Sequence, residues 1–433
     1  MSTLTLARTE RMLPVGPGGR PAPDLAGHLA THGPLAIPTR DDPGWKAAVR
    51  RAVAESGLLG RGGAGFPAAA KWGAVDGGWH RPVVVVNAME GEPASAKDRV
   101  LLTQAPHLVL DGAEVAAAVI GASEIVICVA DHNGPAAASI EAAIAERRRA
   151  GMSGHRTSVR RPPGGYVTGE ESSLVTWLSS GLALPFFRTD KSVPVTVGRR
   201  PALVHNAETL SQVALIARHG PAWFRGLGTT EAPGSTLVTV TGAVRTPGVL
   251  EVELGTPVAD ILAQAGADTE LSAVLLGGYG GAWLDAAELA IPYAPGPLKA
   301  AGTSHGVGVM IALPRTSCGL AETARIARYM AGESVGQCGP CIFGLPTIAD
   351  DLEQLWAGRA DAAVVDRIQV RAATVEGRGA CRHPDGVVRL VRSALVVFAA
   401  DTLDHARGRP CSGHASPTVL RFPEGAAGTR RSA

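Results

Sequence analysis

The sequence lacks any apolar run long enough to cross a bilayer as a helix: the longest, around Val83 to Val86, Ile125 to Ala130 and Ala394 to Ala400, stop far short of the ~18 to 20 residues required. A direct membrane span is therefore not expected. A lopsided charge is missing too, since 41 Lys and Arg face 39 Asp and Glu for a net +2, and this argues against a nucleic-acid binder, which needs a concentrated basic surface. Cysteine is scarce at six in 433 residues, too few for a disulfide scaffold. The N-terminus has no charged segment leading into an apolar one, so no secretory signal is expected and a cytoplasmic location is. What remains is a globular chain, 45% hydrophobic and long enough for two or three domains with their own cores.

Glycine is plentiful, and four fall within six residues at Gly60-Arg61-Gly62-Gly63-Ala64-Gly65, ahead of Phe66-Pro67 and Lys71-Trp72. Each costs backbone entropy and packs no side chain, so such a run favours neither helix nor strand. Bare backbone N–H groups suit phosphate or ribityl oxygens, and Arg61 and Lys71 would add positive charge on either side. The run does not match the G-x-x-x-x-G-K-[ST] phosphate loop, and no acidic residue in strand–turn–helix context completes a dinucleotide fingerprint. A plain surface loop is the competing reading.

Taken in order, residues 1–45 carry Gly, Pro, Ala and Arg without periodicity and read as a loosely ordered lead-in. Lys46 to Ser56 reads as a helix stopped by Gly57. Pro82 to Val86 is a β-branched, buried parallel strand whose end delivers Asn87, Glu90 and Glu92 to the side where open α/β sheets bind ligands. Leu108 to Ala118 (helix), Ile125 to Ala130 (strand), Ala136 to Arg149 (helix) and Thr157 to Arg161 (strand) continue an α/β domain over 46–230. Strands at Ser235 to Val240, Gly248 to Val252 and Val307 to Ala312, with a helix at Val258 to Ala265, fit a β-grasp (ubiquitin-like) unit over 236–315. Leu320 to Ala331, Leu345 to Leu355, Ala362 to Ala373 and Val387 to Thr402 are amphipathic and predict a C-terminal four-helix bundle over 316–405, followed by a flexible tail over 406–433.

Several ordered motifs carry the chemistry: the glycine run; Asn87-Ala88-Met89-Glu90-Gly91-Glu92-Pro93 with Lys97-Asp98-Arg99; Gly165-Tyr166-Val167-Thr168-Gly169-Glu170-Glu171-Ser172; Asn206-Ala207-Glu208-Thr209; and Glu333-Ser334-Val335-Gly336-Gln337-Cys338-Gly339-Pro340-Cys341. Over about residues 45–400 this set resembles the family of flavin- and NADH-binding subunits of respiratory complex I, with its relatives in NAD-reducing hydrogenases and NAD-dependent formate dehydrogenases. The resemblance implies an FMN-dependent NAD(P)H dehydrogenase subunit that passes electrons through a [4Fe–4S] cluster to a ferredoxin or a larger redox complex, to which it could be peripheral. By the same resemblance Gly60, Arg61, Gly62, Gly63, Ala64, Gly65, Lys71, Asn87, Asn206 and Thr209 would line FMN. Phe66, Glu92, Glu170 and Glu171 would face NAD(H) or NADP(H), and Glu90, Tyr166 and Gly169 complete the cofactor set. A carboxylate can accept from ribose hydroxyls and a ring offers a stacking face, while Glu170-Glu171 also reads as a helix start whose acids complement the dipole. The cofactors carry the reaction, so no side chain is assigned as general acid or base.

The chain departs from the family pattern at four places. Met89 stands where relatives have Asp, and Ala74 and Val193 stand where they have adenine-stacking Phe; Phe66 remains, and Trp72, Trp79, Phe186 or Phe187 could be recruited. Among the cluster ligands Cys338, Cys341 and Cys381 are kept and the first thiolate is replaced by Val335, leaving His383, Cys411, Cys318 or an exogenous group as the fourth. Cys318 is the least convenient, because the intervening helix places it ~20 Å away at ~1.5 Å per residue. Cys128, in an apolar strand, reads as core. These departures keep two other readings open: a non-enzymatic scaffold that has lost its cofactors, and a ferredoxin-linked flavoprotein that does not use NADH.

Overall fold

The valine-rich runs build the first sheet. In the computed structural model, which describes residues 11–13, 23–38, 41–75, 80–190, 193–267, 270–361 and 363–423, the chain opens with α1 (Leu25–His32), α2 (Pro43–Ser56) and α3 (Ala68–Ala74). It continues through β1 (Val83–Ala88), α4 (Lys97–Gln104), α5 (Pro106–Ile120), β2 (Glu124–Val129), α6 (Gly134–Arg149), β3 (Arg156–Arg160), α7 (Glu171–Ser180), β4 (Val195–Val197), β5 (Arg200–Asn206) and α8 (Ala207–Phe224). The strand order is β3-β2-β1-β5-β4, parallel except for the antiparallel edge strand β4. Along β1, Val84 and Val86 join the core shared with α5 and α8, while Val83 and Val85 pack on the opposite face with Leu174 and Val175 of α7. A period of two with both faces covered is why this strand reads as an unbroken apolar run. Cys128 is fully buried in that second core, as expected of a core residue.

A second sheet, β7-β6-β10-β8-β9, follows: β6 (Ser235–Gly242), β7 (Gly248–Glu253), α9 (Val258–Gln264), β8 (Leu271–Leu276), β9 (Ala282–Asp285), α10 (Pro295–Ala300) and β10 (Val309–Pro314). The last strand runs parallel beside the first, and the flanking pairs are antiparallel. One face of this sheet packs with α9 and the other against the C-terminal helices α11 (Gly319–Gly332), α12 (Leu345–Trp356), α13 (Val364–Val375), α14 (His383–Val397) and α15 (Ala399–Ala406). No described helix is long and apolar enough to cross a membrane.

Three expectations change. Inside the segment read as a loosely ordered lead-in, Asp24 caps α1, and the backbone N–H groups of Arg11 and Met12 donate to Glu251 at 2.9 and 2.8 Å. The single helix expected at Val387 to Thr402 breaks at Phe398, where φ −104° and ψ 34° leave the helical region, so α15 starts separately. The tail is not loose as far as it is described: Leu420 is buried, and the N–H groups of Val419 and Leu420 donate to Glu322. Its anchors are isolated residues in a Gly/Ser/Pro-rich stretch, which have no periodicity to read.

Candidate functional site

The sheet order fixes where a ligand can sit. From β1 the chain steps outward on one side through β2 and β3, then returns to place β5 on β1's other side, so the strand order reverses between β1 and β5. Crevices beyond the carboxyl ends of strands at such a point bind ligands. Asn87 and Asn206, the predicted site asparagines, are register partners at those two strand ends. Asn206 Nδ2 donates to the Asn87 carbonyl (3.0 Å) and to Asp98 (2.7 Å), while its Oδ1 accepts from Lys97 Nζ (2.9 Å) and caps α8 through the Glu208 N–H. Asn87 Nδ2 in turn holds the Gly169 carbonyl at 2.8 Å.

The glycine run joins α2 to α3 as a loop closed at its neck, where Gly60 N–H meets the Phe66 carbonyl at 2.8 Å and Ala68 N–H meets that of Leu58 at 2.9 Å. Gly63 and Gly65 have φ of +103° and +61°, conformations that explain glycine there without any ligand. Gly62 faces Asn206, where an added Cβ would lie 3.4 Å from the asparagine's own. Thr209 Oγ1 accepts the Arg61 N–H at 2.9 Å and so ties the loop to α8.

Two adjoining cavities open here, one of about 1420 Å³ and one of about 280 Å³. Gly60, Ala64, Gly65, Phe66, Lys71, Glu171 and Thr209 line the larger, Arg61, Glu90, Glu92 and Tyr166 the smaller, and Gly62, Gly63, Asn87, Gly169, Glu170 and Asn206 both. Every residue predicted to touch a cofactor is thus brought together, although their motifs span some 150 positions. The larger cavity exceeds the ~300–1,000 Å³ usual for one small molecule, room enough for a flavin beside a dinucleotide.

The acids are held by specific partners. Glu170 caps α7, accepting from Ser172 N–H (2.9 Å) and Ser173 N–H (3.0 Å), so its helix-start role and its place in the cavity wall coexist. Glu171 pairs with Lys71 Nζ at 2.6 Å and Arg188 at 2.8 Å. Glu90, the one non-glycine residue with positive φ among those described, accepts from Asp98 N–H, Arg99 N–H and the Ser95 hydroxyl, and burial followed by the Asp98 charge pushes its pKa up to about 7. Burial likewise pushes Glu92 up to about 7, against the Tyr279 N–H it accepts at 2.8 Å. Arg61 corrects an expectation: its guanidinium is buried and turned away to the Ser235 carbonyl (3.1 Å) and Glu208, so it braces the loop rather than offering charge to an anion.

Cys338 and Cys341 lie before α12, joined by the Cys341 N–H to Cys338 carbonyl bond (3.1 Å), with Cys341 in a π-helical turn at Pro340–Gly344. Cys381, just ahead of α14, lines both cavities and interacts electrostatically with Cys338 and Glu170. Burial pushes the Cys341 thiol up to about 12 and that of Cys381 to about 11. Three thiols therefore converge beside the cavity wall, a donor set suited to iron–sulfur ligation.

Known proteins share these parts in the same order. Residues 53–215 match the family model for the Nuo51 FMN-binding domain, 321–405 that for the NADH-ubiquinone oxidoreductase-F iron-sulfur binding region, and 237–276 that for the SLBB domain. The second F subunit of NADH-quinone oxidoreductase in Rhizobium meliloti is 31% identical over 378 residues, covering 84% of this chain and 89% of the relative. The chain belongs to the family of NADH-quinone oxidoreductase F subunits. The Escherichia coli member is 30% identical, covering 80% of this chain and 81% of its own, and a crystal structure of an NAD+-reducing [NiFe]-hydrogenase superposes with a TM-score of 0.78 at 29% identity, covering 90% of this chain and 68% of that one.

Within this family the departures acquire structural meaning. Met89 is buried in the core under the sheet and packs against Gly169, so the substitution turns a side chain away from the cavity. Ala74 lines the larger cavity, Val193 is exposed, and Phe186 and Phe187 line the cavity with Phe66. Trp72 is not recruited, being buried with Nε1 donating to His205 Nε2 at 3.0 Å, and Trp79 lies outside the described residues. Val335 is exposed and offers no donor. His383 donates Nε2–H to the Met330 carbonyl at 2.8 Å, which leaves Nδ1 buried without a partner. Cys411 does not approach the three thiols; it lies with Cys318 at the opposite end of α11, because the tail folds back along the bundle to the start of that helix.

Three groups at the site had no role assigned from the sequence. Lys97, Asp98 and Glu208 form a buried ion cluster, with Lys97 Nζ 2.8 Å from Asp98 and 3.1 Å from Glu208, that fixes Asn206 from below; its signal was the charged Lys97-Asp98 pair. His205 precedes Asn206 in the larger cavity and is held neutral by burial, its pKa lowered to about 3. Arg389 of α14 lines both cavities, a placement only tertiary contact creates.

Proposed function

We propose that this chain is the nicotinamide-oxidising subunit of a redox assembly, working through FMN and a [4Fe–4S] cluster. FMN, when bound, supplies a carrier that takes two electrons as hydride from the nicotinamide and parts with them one at a time, and the cluster supplies the one-electron acceptor. The observation that carries the reading is that Cys381 lines the same cavities as the glycine loop, so a flavin site and a cluster site share a wall.

The chain's own residues bind and orient. The loop from Gly60 to Gly65 presents unhindered backbone, and Asn87 and Asn206 hold the rim of the strand ends rigid through their mutual hydrogen bond. Phe66, Phe186 and Phe187 offer aromatic faces to a base, and Glu92, Glu170 and Glu171 offer carboxyl oxygens to ribose hydroxyls or the carboxamide. Arg389 takes over the cationic role first assigned to Arg61, facing phosphate from α14. Cys338, Cys341 and Cys381 would supply three thiolates to the cluster, and Nδ1 of His383, two residues past Cys381 with its tautomer set by Met330, would be the candidate for the fourth ligand. Exposed Val335, Ile342 and Phe343 beside these thiols form an apolar rim on which a ferredoxin or another component of the assembly docks to receive electrons.

Anaerobic titration with NADH and then NADPH, following flavin and iron–sulfur absorbance together, tests this. Bleaching of both bands by one nucleotide is expected. Protein that takes up neither flavin nor iron on reconstitution would refute it and leave a scaffold.

A further inference from the structure

Far from the flavin cavity, the start of α11 and the end of the chain bring a second set of soft donors together. The ligand atoms of Cys318, His405 and Cys411 all lie within 4.8 Å of one another, with Cys318 Sγ 3.7 Å from His405 Nε2. Bonds of ~2.3 Å to sulfur and ~2.0 Å to nitrogen at tetrahedral angles require a separation near ~3.5 Å, so that edge is close to ready-made. Cys318 is the N-cap of α11, His405 lies in the last turn of α15, and Cys411 follows α15, so three separate elements converge.

Cys411 opens a Cys-x-x-His turn in which His414 N–H donates to the Cys411 carbonyl at 3.1 Å. The turn lies directly on the start of α11: a Cβ at Gly413 would fall 2.5 Å from the Ser317 carbonyl carbon and 2.6 Å from Cys318 N. The His405 and His414 rings are 5.5 Å apart; His405 turns Nε2 toward Cys318 and the Cys411 N–H, and Nδ1 of His414 is buried without a hydrogen-bond partner. Leaving the His414 nitrogen unsatisfied costs free energy that ligation would recover. We propose that Cys318, His405, Cys411 and His414 form a structural zinc site, with the His414 ring swinging in to complete the tetrahedron. Two thiolates and two imidazoles select zinc over harder cations.

This site is separate from the three-thiol centre. The 14 residues of α11, rising ~1.5 Å each, stand between Cys318 and the Cys338 end. Its role is to pin the returning tail. Beyond His414 the Arg421 carbonyl accepts from the Tyr279 hydroxyl at 2.7 Å, and Phe422 packs on Tyr279 and Tyr329 with ring centroids 5.2 and 5.3 Å away. Tyr279 N–H is the donor to Glu92, so the zinc-held tail backs one wall of the smaller cavity.

The test is metal analysis of the full-length, flavin-loaded protein after dialysis against a weak chelator. About one zinc per chain is expected, kept when Cys338, Cys341 and Cys381 are all changed to Ala and lost in Cys411→Ser and in His405→Ala. If those two variants do not fold, cobalt replacement in the triple-alanine protein decides: tetrahedral d–d bands with thiolate charge transfer support the site. Zinc that disappears with the triple-alanine change overturns the assignment, as does a Cys318–Cys411 disulfide found by unreduced peptide mapping of metal-free protein.

Discussion

Glu92 gives the most quantitative handle on the smaller cavity. It is 5% exposed, accepts from Tyr279 N–H at 2.8 Å and Ala94 N–H at 3.3 Å, and faces the Tyr166 hydroxyl, and burial still prevails over these bonds to raise its pKa from 4.5 to about 7. Between those two values the folded protein keeps a proton that the unfolded chain has released, so stability falls as pH rises from 4.5 through about 7 and then levels off. At ~1.36 kcal/mol per pH unit the loss is on the order of 3 kcal/mol. Glu90 and Glu251, also raised to about 7, add their own losses in the same window. Glu92→Gln keeps an oxygen for Tyr279 N–H and removes the ionisation, so its stability relative to wild type should improve by about 2–3 kcal/mol between pH 5 and pH 8. The assay is urea unfolding of both proteins at several pH values, followed by tryptophan fluorescence. Parallel stability–pH curves would refute the claim that this carboxyl is neutral in the folded protein below pH 7.

Three further perturbations address the site directly. Cys381→Ala should abolish the iron–sulfur absorbance and leave bound flavin, as read by visible spectra after reconstitution. Phe187→Ala should leave flavin content unchanged and raise the nucleotide KM about fivefold to 150-fold, the effect of losing ~1–3 kcal/mol of base stacking; an unchanged KM would show that the base rests elsewhere. Gly91→Ala places a Cβ 2.8 Å from the Gly165 carbonyl and 2.9 Å from that of Tyr166. It should spread two cavity walls and weaken flavin retention on gel filtration, whereas Gly296→Ala, which meets nothing within 4 Å, should not.

The sequence by itself determined a good deal. An unbroken β-branched run called for a buried parallel strand, a dense glycine run called for a loop with bare backbone, and the ordered motifs named the residues that line the cavities. It did so because each of these is a local property of a few consecutive residues. The strands β4 and β5 and the anchored tail were not legible, since their stability comes from neighbours distant in sequence, such as Tyr279 for Arg421. Tertiary structure alone decided that Arg61 braces the loop while Arg389 faces the cavity, that Met89 turns into the core, and that Cys411 joins Cys318 instead of Cys381. Each of those outcomes depends on which way a side chain points and what the fold brings to meet it, and chain spacing holds no information about either.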